Sequence, residues 1–247
     1  MKKTLNLLFI LILLSVMAAA QVAPTGEEIL RRVDSNIGSD NKISIAEMII
    51  HTNRGSRSMK SKSWIMGEEK SFTEYLAPAR DAGTKMLKLE DQLWMYIPST
   101  DRTIKISGHM MRQSVMGSDL SYEDMMEDTE LLNLYNANVI GEENFLDRPC
   151  WILELTAKVE DIAYHKRKIW VDKERYVSLR EDRFAKSGKL LKTFEAKNIK
   201  RIQNRWMPTH MIFKDVLKGG EGTEFILESI EFNATIPEHV FTKASLR

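Results

Sequence analysis

The spacing of apolar and polar residues near the start of the chain predicts one amphipathic helix. Residues 25–37, TGEEILRRVDSNI, carry apolar side chains at intervals of three and four, which place them on one helical face: Ile29, Leu30, Val33 and Ile37. Thr25 and Glu28 have the spacing of a capping box, in which each residue bonds the backbone of the other. We therefore predict a helix that begins after Thr25 and buries this apolar face.

After this helix the pattern changes to short alternating segments that predict strands. Segments such as ISIAEMIIHTN, GTKMLKLED and PCWILELTA are separated by Gly, Pro, Asn or charged pairs. The connections are too short for crossover helices, so neighbouring strands should pair antiparallel. The segment QLWMYIP, residues 92–98, is apolar on both faces, and we expect it in the middle of the sheet beneath a covering element.

Residues 108–134 interrupt the strands with a methionine-rich segment that we predict to be helical. Twelve methionines follow residue 20, and ten of them lie between Met48 and Met126. Methionine is flexible and polarizable, so it suits surfaces that accept varied apolar shapes, although ordinary core filling is the simpler alternative. We predict that this insertion is a lid over an apolar cavity. Its carboxylates, Asp119, Glu123 and Asp124, should cap the helix that follows Ser121 and form a polar rim.

These patterns together predict a mainly β protein of the α+β type. About a dozen antiparallel strands after one helix favour a strongly curved antiparallel sheet that forms an unclosed barrel wrapped around helices. Since many strands alternate, one face must be covered, and the first helix and the insertion are the apolar segments available for this. We find no repeat or linker, so residues 21–247 should form a single domain.

The first twenty residues have the features of a signal peptide. Lys2 and Lys3 precede an apolar run over residues 5–14, and small residues then lead to a cleavage site near Ala20. The run is shorter than the roughly 20 residues of a membrane helix, which favours cleavage over an anchor. We expect an exported, periplasmic protein. Cys150 is the single cysteine, so no intramolecular disulfide can form.

Composition and motifs argue against several classes of function. Residues 21–247 carry 34 basic and 35 acidic residues, and this balance does not favour nucleic-acid binding. The five histidines lack the spacing of a metal site, and neither a nucleophile elbow nor a phosphate-binding glycine loop is present. We therefore expect no catalytic residues, no metal and no cofactor.

Four segments resemble one known family: LWMYIPSTDRTIKIS, MGSDLSYEDM, RPCWILEL and KIWVD. They are similar to the outer-membrane lipoprotein-sorting proteins, which are LolA-like periplasmic carriers of lipoproteins or lipids. The resemblance implies an unclosed barrel whose apolar cavity takes acyl chains, and a carrier that is not an enzyme. It also implies an acylated lipoprotein or lipid as partner, with an inner-membrane exporter and an outer-membrane acceptor.

Residue pattern and resemblance together select nine residues as the cavity and lid. They are Trp64, Met66, Met86, Trp94, Tyr96, Met110, Met111, Val115 and Met116. A different class of function stays open, in which the same fold is a lipid sensor or an adaptor that regulates or serves an envelope transporter. A carrier should copurify with lipid, whereas an adaptor should form a stable complex with its partner.

Overall fold

The computed structural model describes residues 23–53, 55–127 and 130–247. The predicted signal peptide, residues 1–20, lies outside these residues. Fifteen strands and three helices are present in the described part of the chain. The helices are α1 (Gly26–Ile37), α2 (Tyr122–Met126) and α3 (Leu131–Leu134).

The strands fall into two groups on either side of the insertion. Before it lie β1 (Asn41–Thr52), β2 (Gly55–Met66), β3 (Lys70–Ala77), β4 (Lys85–Leu89), β5 (Gln92–Ile97) and β6 (Arg102–Ile106). After it lie β7 (Tyr135–Phe145), β8 (Arg148–Ala157), β9 (Lys166–Asp172), β10 (Ser178–Phe184), β11 (Leu190–Ala196), β12 (Ile199–Ile202), β13 (Arg205–Pro208), β14 (His210–Asp215) and β15 (Gly222–Phe232).

Thirteen of these strands form one antiparallel sheet that does not close into a barrel. Their order is β6-β5-β4-β3-β2-β1-β15-β14-β11-β10-β9-β8-β7, and β12 and β13 form a separate hairpin. The last strand, β15, pairs with both β1 and β14 and so joins the two groups. The prediction of a mainly β protein with a large unclosed antiparallel sheet is confirmed.

Helix α1 begins as its sequence predicts. The Thr25 hydroxyl accepts the Glu28 N–H, and the Glu28 carboxylate accepts the Thr25 N–H at 2.7 Å. The apolar side of the helix packs on β7, β8 and β9, where Ile29 and Leu30 are fully buried against Leu153. We call the sheet face that α1 contacts the inner face.

The insertion between β6 and β7 is less helical than predicted. It consists of two 3₁₀ turns, Gly108–Arg112 and Val115–Gly117, and the short helices α2 and α3. Gly108, at the start of the first turn, and Met116 and Gly117, in the second, all adopt positive φ, so a continuous right-handed helix does not form here. The insertion thus has short turns that follow the sheet surface.

Strand β5 is buried on both faces as predicted, but the expectation that it lies in the middle of the sheet is wrong. It is second from the edge formed by β6. Its inner face is covered by the insertion, and its outer face is covered by the C-terminal segment, whose Ile236, Phe241 and Leu246 are buried beside Trp94. Within this segment Pro237 precedes the 3₁₀ turn Glu238–Phe241, which has no side-chain cap.

The start of α1 lies very close to the backbone of β7. A Cβ atom on Gly26 would lie 2.4 Å from the carbonyl oxygen of Ala137 on β7. We predict that Gly26→Val lowers the free energy of unfolding by about 1–3 kcal/mol, because the helix would have to move off the sheet. The exposed neighbour Glu27 provides the control, and Glu27→Val should cost clearly less in the same urea titration.

Candidate functional site

The insertion covers a methionine-rich part of the inner face. Cross-strand pairing places Met48 opposite Met59 and Met86 opposite Met95. These four side chains are buried with other apolar residues of β1–β6 and of the insertion, and we call this set the methionine cluster: Met48, Ile50, Met59, Tyr75, Met86, Leu93, Met95, Ile106, Val115 and Tyr122. Met110, Met111, Met116 and Met126 of the insertion pack against it.

Both tyrosines of the methionine cluster aim their hydroxyl groups at sulfur. The Tyr122 hydroxyl lies 3.6 Å from the Met95 sulfur, and the Tyr75 hydroxyl lies 3.9 Å from the Met86 sulfur. Burial raises the pKa of Tyr75 well above its usual range. These weak partners hold the rings in place, and the surface around them stays apolar.

The structure brings together five of the nine predicted cavity and lid residues. Met86, Met110, Met111, Val115 and Met116 all belong to or pack against the methionine cluster. The other four, Trp64, Met66, Trp94 and Tyr96, pack on the opposite face of the sheet beneath the C-terminal segment. The two groups are separated because successive residues of a strand point to opposite faces.

Sequence analysis missed several inner-face residues of the methionine cluster. Met48, Met59, Tyr75 and Tyr122 are buried there, and Phe225 packs against them. The many methionines between Met48 and Met126 predicted a methionine-rich surface, but they did not show which residues form it. The pairing of Met48 with Met59 depends on strand register, which the sequence did not specify.

Asp119 anchors the insertion to the hairpin of β14 and β15. Its carboxylate accepts the Asp215 N–H at 2.9 Å and the Thr223 hydroxyl at 2.8 Å, and its own N–H donates to the Thr223 oxygen at 2.9 Å. The Lys218 ammonium donates to the Ser118 carbonyl at 2.7 Å. Asp119 is buried, so its predicted place in a solvated rim is wrong.

Asp124 caps α2, as predicted, but it also points inward. It forms a capping box with Ser121. The same carboxylate accepts the Tyr164 hydroxyl at 2.6 Å, lies 3.4 Å from an Arg183 nitrogen and pairs with Lys192. Its side chain is only 3% exposed, so it is part of the interior and no part of a polar rim. Glu123, by contrast, is half-buried at the rim of a surface cleft.

Asp124 and the cations it contacts belong to a set of buried and partly buried ions that we call the charge network. Three of its members are cations on the inner face of adjacent strands, since Arg183 on β10 is directly opposite both Arg167 on β9 and Lys192 on β11. Three are carboxylates: Asp124 and Glu127 of the insertion, and Glu181 of β10. The network lies between the cluster around α1 and the methionine cluster.

Glu181 bridges the two arginines and orients them. One of its oxygens accepts from Arg167 at 2.8 Å, and the other accepts from Arg183 at 3.0 Å. Arg167 is 1% exposed, pairs with Glu127 and stacks over the Tyr135 ring at 4.7 Å. Its Nε atom is buried without a hydrogen-bond partner in the described structure.

Burial and neighbouring charges shift the pKa values of Asp124, Glu181 and Arg167. Burial would raise the pKa of Asp124, but the charges of Lys192 and Arg183 outweigh burial and lower it to about 2. Burial also opposes ionisation of Glu181, yet Arg183 and Arg167 hold its pKa below the usual range. Burial lowers the pKa of Arg167 to about 10, which still leaves it charged at neutral pH. Asp124 and Glu181 are thus ionised at neutral pH.

Two kinds of feature are absent from the described part of the chain, a group of metal-ligating side chains and a membrane-spanning helix. Within residues 23–53, 55–127 and 130–247 no three His, Cys, Asp or Glu side chains are grouped so that they could hold a metal ion. No helix in that part of the chain has the length and apolar character to cross a bilayer. The site consists of a methionine-rich surface and a cover that ion pairs and hydrogen bonds hold on the sheet.

The two acidic residues Asp119 and Glu123 of the insertion offer a matched comparison. We predict that Asp119→Ala lowers the free energy of unfolding by about 3 kcal/mol, because it leaves the Asp215 N–H and the Thr223 hydroxyl without their acceptor. Glu123→Ala should change it by about 0.5 kcal/mol or less. Urea titration of both variants tests this, and equal losses would contradict the anchoring role of Asp119.

The low pKa of Asp124 predicts a pH dependence of stability. A carboxyl whose pKa falls from 3.8 to about 2 on folding contributes stability above the unfolded pKa, and this contribution is lost as the pH falls through the folded pKa. Asp124→Asn should be less stable than the unchanged protein at pH 7. The gap should narrow by about 2 kcal/mol between about pH 5 and pH 2. A gap that stays constant over this range in urea titrations would contradict the prediction.

Comparison with known proteins identifies relatives along most of the chain. The model of a family described as uncharacterized protein matches residues 67–247, from the end of β2 to the C-terminus. The crystal structure of a DUF1329 family protein from Desulfovibrio piger ATCC 29098 is 26% identical with a TM-score of 0.81, and the match covers 90% of this chain and 98% of that one. A search of curated proteins gives no significant match.

Two further crystal structures are similar over the same length. A domain from Vibrio parahaemolyticus, described as an outer membrane lipoprotein-sorting protein domain, is 26% identical with a TM-score of 0.76 and covers 90% of this chain and 97% of that one. A LolA superfamily protein from Nitrosomonas europaea shares the fold at 23% identity, with a TM-score of 0.74 and coverage of 90% and 100%. The predicted resemblance to the LolA-like lipoprotein-sorting proteins is confirmed by these two structures, and the fold is shared.

Proposed function

The chain belongs to the family of uncharacterized proteins that matches residues 67–247, and from its LolA-like fold we propose that it is a periplasmic carrier of acyl chains. In this proposal it binds the acyl part of a lipoprotein or lipid and delivers it towards the outer membrane, with no catalytic step. The observation that carries the proposal is the methionine cluster beneath the insertion.

The methionine cluster has the properties that acyl binding requires. Four of its ten members are methionines, and four methionines of the insertion pack against it; these long, unbranched side chains can adopt new rotamers around a flexible ligand. Met110, Met111, Met116 and Met126 of the insertion pack against it and are only partly buried. An acyl chain between the insertion and β1–β6 would therefore meet methionine on both sides.

The energies are compatible with displacement of the insertion by a ligand. Burial of an acyl chain stabilises by about 0.8 kcal/mol per methylene, so about fifteen methylenes contribute about 12 kcal/mol. Breaking a buried ion pair costs about 3–5 kcal/mol. The insertion is held by such pairs at Asp124 and Glu127 and by the hydrogen bonds of Asp119. The free energy gained by burying a long acyl chain is therefore of the same order as that loss.

The proposed binding surface divides the nine predicted residues into two groups with different roles. Met86, Met110, Met111, Val115 and Met116 would contact the acyl chain, since they lie at the methionine cluster. Trp64, Met66, Trp94 and Tyr96 would support the sheet from the outer face. An exporter in the inner membrane and an acceptor in the outer membrane remain part of the proposal as partners.

Native mass spectrometry of the protein purified from an expressing cell's periplasm tests the carrier function. We expect a near-stoichiometric lipid or acylated peptide, which solvent extraction would then release for identification. A protein that stays free of ligand after incubation with lipid vesicles would contradict the carrier and favour the adaptor or sensor.

Substitutions on the two faces of the sheet test the location of the site. We predict that Met110→Asp combined with Met111→Asp weakens binding of a fluorescent fatty acid about tenfold or more, because it places charges against the acyl chain. Met66→Asp introduces a carboxylate beneath the C-terminal segment and should leave binding within about twofold. Circular dichroism should confirm that each variant keeps its sheet. Equal weakening by both changes would contradict a site on the inner face.

A further inference from the structure

The charge network places cations beside the methionine cluster, and a site that binds only an acyl chain does not need them. We propose that Arg167, Arg183 and Lys192 bind the anionic headgroup of the acyl ligand, so that the protein prefers acyl chains ending in a carboxylate or phosphate. This inference rests on the proposed function and names its ligand class. The insertion's Asp124 and Glu127 would occupy the headgroup position when no ligand is bound.

The charge balance of the sheet is the first argument. On the inner face β9, β10 and β11 carry three cations, Arg167, Arg183 and Lys192, but only one carboxylate of the network, Glu181. The other two carboxylates, Asp124 and Glu127, come from the insertion. When the insertion moves away, these three strands keep three cations, one buried and two partly buried, against Glu181 and the neighbouring Asp215 of β14. Arg167 and Arg183 then share a single carboxylate, which is unfavourable unless another anion replaces those of the insertion.

The geometry of the cations is the second argument. Arg167 and Arg183 are cross-strand neighbours, and Glu181 accepts from both, so their guanidinium groups are oriented before any ligand arrives. Arginine presents several N–H groups in a planar fork that matches carboxylate and phosphate oxygens. The Arg167 Nε atom, buried and without a partner in the described structure, provides a further donor for an oxyanion.

The position of the network beside the apolar surface is the third argument. Helix α2 spans the boundary, because Tyr122 and Met126 pack at the methionine cluster while Asp124 reaches Lys192 and Arg183. Tyr164 lies on the same side as the cations and donates its hydroxyl to Asp124 at 2.6 Å. A ligand beneath α2 could place its acyl chain on methionine and its headgroup where the Asp124 carboxylate lies.

A pair of ligands that differ in charge alone tests the inference. We would titrate the protein with a fluorescent fatty acid, with its methyl ester and, separately, with inorganic phosphate. We expect the acid to bind about tenfold or more tightly than the ester, and phosphate alone to bind far more weakly than the acid. Equal affinity for acid and ester would overturn the headgroup site while leaving the carrier function intact.

The remaining outcomes are also distinguishable. If neither the acid nor the ester binds, the proposed function fails and the inference fails with it. If inorganic phosphate binds as tightly as the acid, the cations form a site for a free anion, and the assignment to an acyl ligand is overturned.

Substitution of the cations tests which residues bind the headgroup. Lys192 is the most suitable position, since its side chain is 13% exposed whereas Arg167 is 1% exposed and its removal risks misfolding. Lys192→Gln should weaken the acid about tenfold and leave the ester within about twofold, because only the headgroup interaction is lost. Lys186→Gln changes an exposed ion pair with Glu160 and should affect neither ligand. Parallel losses of acid and ester in Lys192→Gln would overturn the inference.

Discussion

Strand β15 joins the two halves of the sheet by backbone pairing, and ion pairs between the insertion and the inner face connect them a second time across the interior. Asp124 and Glu127 come from the segment that covers β1–β6, but their partners Arg167, Arg183 and Lys192 lie on β9–β11 of the other half. A closed barrel would connect its ends by hydrogen bonds between strands. In this open sheet, side-chain charges bridge the interior, and buried charges of this kind must stay paired because each one is costly alone.

Because these charges must be paired, the interior is divided into apolar clusters and a separate charge network. The cluster around α1 and the methionine cluster are both apolar, and the charge network separates them on one face. The helix α1 is held by close packing, with Gly26 against Ala137. The insertion is held at Asp119 and Asp124 by polar contacts over a flexible apolar surface. A ligand can replace the polar contacts of the insertion with its own. It cannot easily replace the close packing that holds α1.

The proposed carrier and headgroup functions use the same residues for complementary purposes. Methionine accepts an acyl chain without a fixed shape, whereas the cations require one type of headgroup. In the closed state the carboxylates of the insertion satisfy the cations, and Asp124 stays ionised because those cations lower its pKa. The cover thus resembles the proposed ligand in both its apolar and its charged parts.

The sequence by itself determined the features that depend on local spacing. Helical periodicity and the Thr25–Glu28 capping box specified α1, alternation with short connections specified an antiparallel sheet, and the motif around Asp119 indicated the family. Tertiary structure alone decided strand register and which face each side chain occupies. Local alternation already places Trp94 and Met95 on opposite faces, but only the tertiary structure decided which cover each one meets, and it placed Asp124 in the interior. A carboxylate is placed by its partners, and the cations that pair with Asp124, Arg183 and Lys192, lie 59 and 68 residues further along the chain.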